Sequence, residues 1–234
     1  MVDFPLHFLE GSPIEIDDTV RQRLNTYANL LVEWNEKMNL TAITEPKDVV
    51  IKHFLDSLTF FKCASPQQNA KIIDVGTGAG FPGMVLKIVR PDLNVTLLDG
   101  LNKRLVFLSE VAKETGLEVE LLHLRAEEGG RKESLREQYD FACARAVAPL
   151  NVLLEYCAPF VKKGGSFIAL KGPAAADEVA ASGNAAKLLG MDKPTLTSVT
   201  LTGDEERYLV SYKKISQTTA KYPRISAKIQ KSPL

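Results

Sequence analysis

Ile72-Ile73-Asp74-Val75-Gly76-Thr77-Gly78-Ala79-Gly80 runs from an apolar, strand-forming stretch straight into a glycine-rich turn, and the spacing of its glycines decides the fold. A dinucleotide fingerprint, G-x-G-x-x-G, needs its third glycine at position 81, where this chain has Phe81. The nicotinamide reading fails there, at the residue that lets helix and strand pack closely. What stands is D-x-G-x-G-x-G, a strand-to-helix turn whose backbone amides suit an anionic or nucleotide-like ligand. Its bland alternative is a tight turn without a ligand. Beyond it, Met84, Val85, Ile88 and Val89 are spaced for a short helix over 82–90, and Val95-Thr96-Leu97-Leu98 leads into Asp99. This is a βαβ unit that sets a carboxylate about 20 residues past the glycines, the separation at which an acid accepts ribose hydroxyls. The bland alternative for Asp99 is a solvated residue at a strand end or a cap for a helix starting near Asn102, and the glycine turn beside it weighs against that alternative.

The alternation continues outward with a helix over 102–115, strands over 119–122 and 141–144, and a helix near Pro149. Gly164-Gly165 turns into a strand over 166–170 that ends in Lys171, and strands over 196–201 and 208–212 flank the polar loop Gly203-Asp204-Glu205-Glu206. The pattern predicts an α/β, Rossmann-like fold of seven strands, mostly parallel with an antiparallel last strand. Upstream, Val20, Leu24, Tyr27, Leu31, Trp34 and Met38 step by four and three behind a cap at Asp17 or Asp18. A second helix starts at Pro46 and runs through Phe54 to Phe61. The expected organisation is an N-terminal helical cap over 1–65, a Rossmann-like domain over 66–215 and a basic tail over 216–234.

With 234 residues and 45% hydrophobic content, the chain can bury one sizeable core. Cys63, Cys143 and Cys157 lack Cys-x-x-Cys spacing, so neither a disulfide framework nor a zinc site is expected, and the cytoplasm is the expected compartment. No apolar run approaches the roughly 18 residues that cross a bilayer. The net charge of zero is a cancellation. Residues 1–70 hold ten acids and six bases, whereas from Arg207 onward there are seven bases, Arg224 among them, and no acid. Such a segment supplies phosphate affinity through counterion release; its alternative is a solubilising tail. Its Ser, Thr, Pro and Lys content points to disorder in the free protein on either reading.

The glycine turn resembles the first motif of S-adenosylmethionine-dependent methyltransferases, and further motifs narrow the resemblance. They are W-N-x-x-x-N-L-T at 34–41, H-x-x-D-S at 53–57, D-V-G-T-G-A-G-F-P-G at 74–83, L-L-D-x-x-x-K-R at 97–104, R-A-E-E at 125–128, R-A at 145–146 and A-L-K-G at 169–172. Together they make the chain similar to the bacterial 16S ribosomal RNA guanine-N7 methyltransferase G family, also called glucose-inhibited division protein B. The tail keeps a Y-P-R start and a K-x-P-L end but lacks the central glycine and proline of many relatives.

The resemblance implies a class I methyltransferase that uses S-adenosylmethionine and acts, as a monomer without metal or membrane, on 16S rRNA of the small ribosomal subunit. It implies cofactor contacts at Asp74, Gly76, Gly78, Gly80, Phe81, Asp99, Ala126, Glu127 and Arg145. Arg125, Arg145 and Lys171 are the candidate catalytic side chains, positioned to grip phosphate or a guanine edge. His53, Asp56, Arg207 and Arg224 are candidate substrate contacts, although His53 and Asp56, three apart on one helix, also read as a structural pair. Arg145 follows the apolar run Phe141-Ala142-Cys143-Ala144, where a lone cation calls for a partner. Other readings remain: a methyltransferase acting on another RNA, a protein or a small molecule, a non-catalytic cofactor-binding module in ribosome assembly, or a nicotinamide enzyme, against which the glycine spacing argues.

Overall fold

A computed structural model describes residues 2–203 and 205–234; Asp204, in the predicted hairpin loop, lies outside the described residues. The seven strands are β1 (Lys71–Val75), β2 (Asn94–Asp99), β3 (Glu120–His123), β4 (Tyr139–Arg145), β5 (Val161–Lys171), β6 (Thr195–Thr200) and β7 (Glu206–Lys213). They form one sheet in the order β3-β2-β1-β4-β5-β7-β6. The first five strands pair in parallel, while β7 runs antiparallel to both β5 and β6. The order reverses between β1 and β4, so the carboxyl ends of these strands open onto the crevice where α/β folds of this kind bind ligands.

The central strands are buried on both faces, as a parallel sheet sandwiched by helices requires: Ile72, Ile73, Leu97, Ala142 and Cys143 are all fully buried. One helical layer contains Asp18–Met38, Gly83–Val89 and Asn102–Thr115; Leu150–Cys157 lies in the other. Asp17 caps the first helix by accepting the Val20 N–H at 2.7 Å. Its apolar stripe, Val20, Leu24, Tyr27 and Leu31, joins the same core as the glycine turn and the helices after β1 and β2.

The second helix of the cap is less regular than its apolar pattern predicts. Pro46–Asp48 opens it, with Pro46 in the first turn, and Val49–Leu55 is a wider π-type stretch that precedes an α turn at Asp56–Leu58 and a 3-10 turn at Thr59–Lys62. Wide turns of this kind concentrate at functional sites because they redirect side chains.

The tail corrects the expectation of disorder. Its segment runs back across the Leu150–Cys157 helix and ends in the short helix Ser226–Lys231. Tyr222 and Ile229 are buried in the second core, and Arg136 donates to the carbonyls of Thr218, Thr219 and Tyr222. Composition suggested a solvated chain, but two apolar anchors and a ladder of carbonyl contacts are enough to hold it.

Candidate active site

Asp74, near the end of β1, and Gly76, Gly78 and Gly80, just after it, build the turn, of which Gly76 lines the crevice. Asp74 is completely buried; its Oδ2 accepts from Thr77 Oγ1 at 2.6 Å and from the Gly83 N–H at 2.8 Å. It ties the turn to the start of the next helix and lies beneath the crevice, not in its wall. Burial raises its pKa to about 6 against the hydrogen bonds that favour the anion. Gly76 has φ +72°, and a Cβ there would stand 2.8 Å from Val147 Cγ2. At Gly80, φ is +103° and a Cβ would meet the Tyr27 hydroxyl at 2.5 Å. Tyr27 donates to the Ala79 carbonyl and stacks on Phe81 at 5.4 Å, so the first helix of the cap braces the turn directly.

Beside the turn lies a crevice of about 440 Å³, bordered by Gly76, Asp99, Leu101, Arg125, Ala126, Glu127 and Val147, a size within the usual range for small-molecule sites. Asp99 is 3% exposed, with Oδ1 accepting the Leu101 N–H at 2.8 Å and Oδ2 the Gly78 N–H at 3.0 Å. Arg104 pairs with the same carboxylate at 3.2 Å. Asp99 does not cap the helix Asn102–Thr115, whose N-cap is Leu101 and whose first turn takes no side-chain cap; the acid turns instead to the Leu101 and Gly78 amides at the crevice. A larger cavity near Lys71, Asn94, Glu118 and Gln138 sits at the opposite, amino end of the strands and holds none of the expected residues.

A second cluster stands at the end of β4. The partner that Arg145 calls for is Asp56, at 2.7 Å. Arg145 also donates to the Lys52 carbonyl at 2.8 Å and to His53 Nδ1 at 3.0 Å, and its guanidinium lies 4.9 Å from the Phe81 ring centre. Since Arg145 can only donate, Nδ1 is the acceptor and the ring proton belongs on Nε2, which faces Thr41 Oγ1 at 2.9 Å. Burial first, and then the Arg145 charge, lower the His53 pKa to about 3. His53 is therefore neutral, stacked on Phe81 at 4.3 Å. The other Asp56 oxygen, Oδ1, is buried without a hydrogen bond, 3.6 Å from Arg207 Nε.

The structure thus brings His53, Asp56, Phe81, Arg145 and Arg207 together, and sets Gly76, Asp99, Arg125, Ala126 and Glu127 around the neighbouring crevice. Lys171 and Arg224 stand apart from both groups. Lys171 spends its ammonium on Glu178 and the Ala148 carbonyl, each at 2.7 Å, and so holds the loop after β4. Arg224 forms a bidentate pair with Glu155, which is fully buried in the Leu150–Cys157 helix. Three polar crevice residues were singled out by no motif, Tyr156, Ser226 and Gln230, and Arg104 was quoted only as the end of its motif. Glu155 was the available signal, a carboxylate within an apolar helix that needs a cation as surely as Arg145 needs an anion.

The model of the family described as rRNA small subunit methyltransferase G matches residues 20–210. The chain belongs to that family. It is 53% identical over 221 residues to ribosomal RNA small subunit methyltransferase G of Alkaliphilus metalliredigens, covering 94% of this chain and 92% of the relative. The enzyme of the same name from Clostridium perfringens is 47% identical, covering 94% and 93%. Among solved structures, a SAM-dependent O-methyltransferase from Thermotoga maritima superposes with a TM-score of 0.54 at 17% identity, over 81% of this chain and 72% of that one. That likeness supports the seven-stranded class I methyltransferase fold. Among the described residues, no His, Cys, Asp and Glu cluster is arranged to hold a metal ion, and no helix is long and apolar enough to cross a membrane.

Proposed function

We propose that this chain transfers a methyl group from S-adenosylmethionine to N7 of one guanine in 16S rRNA of the small ribosomal subunit. The observation that carries the reading is the pair of adjoining compartments at the carboxyl ends of β1, β2 and β4. One is the open crevice of the glycine turn and Asp99. The other is the Arg145 cluster, in which Asp56, His53 and the Lys52 carbonyl hold a guanidinium over Phe81.

The crevice fits the cofactor. Gly76 leaves room where a Cβ would meet Val147. The Gly78 and Leu101 amides use one acceptor position on each Asp99 oxygen, which leaves each oxygen a lone pair for a ribose hydroxyl once Arg104 turns aside. Ala126 and Glu127 then border the adenine, while Gly78, Gly80 and Phe81 back the methionine end. The bound cofactor supplies an electrophilic methyl group on a sulfonium.

Guanine N7 already carries a lone pair, so the protein needs no general base. His53 at about 3 is neutral and engaged, and burial pushes the Cys143 and Cys157 thiols well above their ordinary range, away from nucleophilic thiolate. What remains for the protein is alignment of the reactants and management of charge. Arg145, Arg125 and Arg207 are the groups proposed to grip phosphate or the guanine edge, with Asp56 and His53 fixing Arg145 in place. Lys171 acts on the loop after β4, and Arg224 leaves the substrate set. RNA shape and a splayed base provide the recognition, since a stacked purine is out of reach.

Binding and turnover separate the two compartments. Asp99→Ala should weaken S-adenosylhomocysteine binding, whereas Arg145→Lys, which keeps the charge but loses the fork, should keep that affinity and lower single-turnover methyl transfer by roughly 100-fold. Equal loss of cofactor affinity in both variants would contradict the division.

A further inference from the structure

The segment that composition assigns to solvent borders the cofactor crevice. Ser226 and Gln230, four apart on one face of the helix Ser226–Lys231, line it together with Asp99, Ala126 and Glu127. We propose that residues 219–234 form a clamp over the adenosine end of the cofactor, with Ser226 and Gln230 as contact residues, so that cofactor binding and docking of the segment stabilise each other. The inference rests on the cofactor reading above.

The anchoring is built, not incidental. Arg224 reaches Glu155 through Nε at 2.9 Å and Nη2 at 2.6 Å, and the Arg224 N–H adds a third contact at 2.7 Å. Glu155 precedes Tyr156, itself a wall of the crevice, and the Tyr156 hydroxyl lies 3.4 Å from Ser226 Oγ. Pro223 packs so closely on Gly130 that a Cβ there would approach it to 3.1 Å. Gly130 directly follows the short helix Ala126–Gly129, which carries the adenine-side residues. Ile229 is fully buried, which fixes the rotation of the last helix and turns Gln230, one residue on, to the rim. Anchors on both sides of the crevice mean that displacing the segment removes one wall.

Gln230 is exposed, and among the described residues its amide is bonded only to Ser226 Oγ at 3.4 Å, a marginal length. An amide offers both a donor and an acceptor, which suits the edge of a purine base. If a ligand gains contacts only when the segment is docked, it must in return favour docking by the same factor.

The test uses the full chain and S-adenosylhomocysteine. Calorimetry gives the Kd of wild type and of Ser226→Ala/Gln230→Ala, and hydrogen exchange follows residues 219–231 with and without ligand. The proposal expects ligand to slow exchange in that segment, and the double variant to bind roughly 10-fold more weakly with an unchanged ligand-free melting temperature. Deletion of 217–234 should weaken binding further, but it uncovers Glu155 and risks misfolding, so the point variants decide. Wild-type binding with unaltered exchange and equal affinity in the double variant would overturn the clamp alone. Absence of wild-type binding at any concentration would overturn the cofactor reading and the clamp with it.

Discussion

Replacing Arg224 with Met should release the C-terminal segment while the rest of the fold stays intact. Glu155 is fully buried and receives both the Arg224 guanidinium and the Arg224 N–H. Removing one member of a buried ion pair costs about 3–5 kcal/mol, because it strands the other charge. Here the stranded charge has an escape: if residues 219–234 lift away, water reaches Glu155. The penalty then falls on docking of the segment, and 3–5 kcal/mol corresponds to a drop of roughly two to more than three orders of magnitude in the docked-to-undocked equilibrium constant. Hydrogen exchange and brief trypsin digestion at Lys221 and Lys228 read this directly, and both should accelerate in R224M with little change in exchange of the central strands. Adding Glu155→Leu removes the stranded charge and should restore much of the protection, since an apolar pair can replace a buried ionic one. Protection of 219–231 equal to wild type in R224M would refute the reasoning.

Other outcomes follow from the same geometry. His53 stays neutral in the fold down to about 3, while an unfolded histidine takes up its proton near 6.5, so this group lowers stability as the pH drops through that window. Asp74, raised from 3.8 to about 6, has the opposite sign, since the folded state holds a proton that the unfolded chain has lost. The two oppose each other between pH 6 and 4. His53→Asn removes the first, and denaturant melts should show the variant gaining on wild type by roughly 1.4 kcal/mol per pH unit over that range; parallel curves would contradict it. Gly80→Ala drives a methyl into the Tyr27 hydroxyl and Leu108, and should cost roughly 1–3 kcal/mol in a melt. Neutralising exposed Lys221, Lys228 and Lys231 together should weaken binding to small ribosomal subunits and flatten its salt dependence by about 3 in slope, with S-adenosylhomocysteine affinity unchanged.

The parts of this molecule legible in its sequence are those governed by local pattern. The glycine turn, the acid that ends β2 and the stripe of Val20, Leu24, Tyr27 and Leu31 each follow from spacing along one element, and each stands where that spacing puts it. The seven strands and the antiparallel last one were readable for the same reason. Contacts between distant segments were not. Arg145 advertised its need for an anion, but nothing local pointed to Asp56, 89 residues away, and the π-type stretch that presents His53 leaves no mark on the apolar pattern. The tail misled because composition averages over a segment: its lysines and serines describe the exposed face, while Tyr222, Arg224 and Ile229 do the anchoring. Lys171 was read as a candidate catalytic group and Arg224 as a candidate substrate contact because a sequence shows a charge but not the carboxylate that consumes it.

The central claim is tested most directly by incubating the protein with methyl-labelled S-adenosylmethionine and small ribosomal subunits from cells lacking this activity, then digesting the rRNA and identifying the labelled nucleoside. Label in 7-methylguanosine at a single 16S position is the predicted result. Binding of the cofactor without transfer, or label in any other nucleoside, would contradict the account.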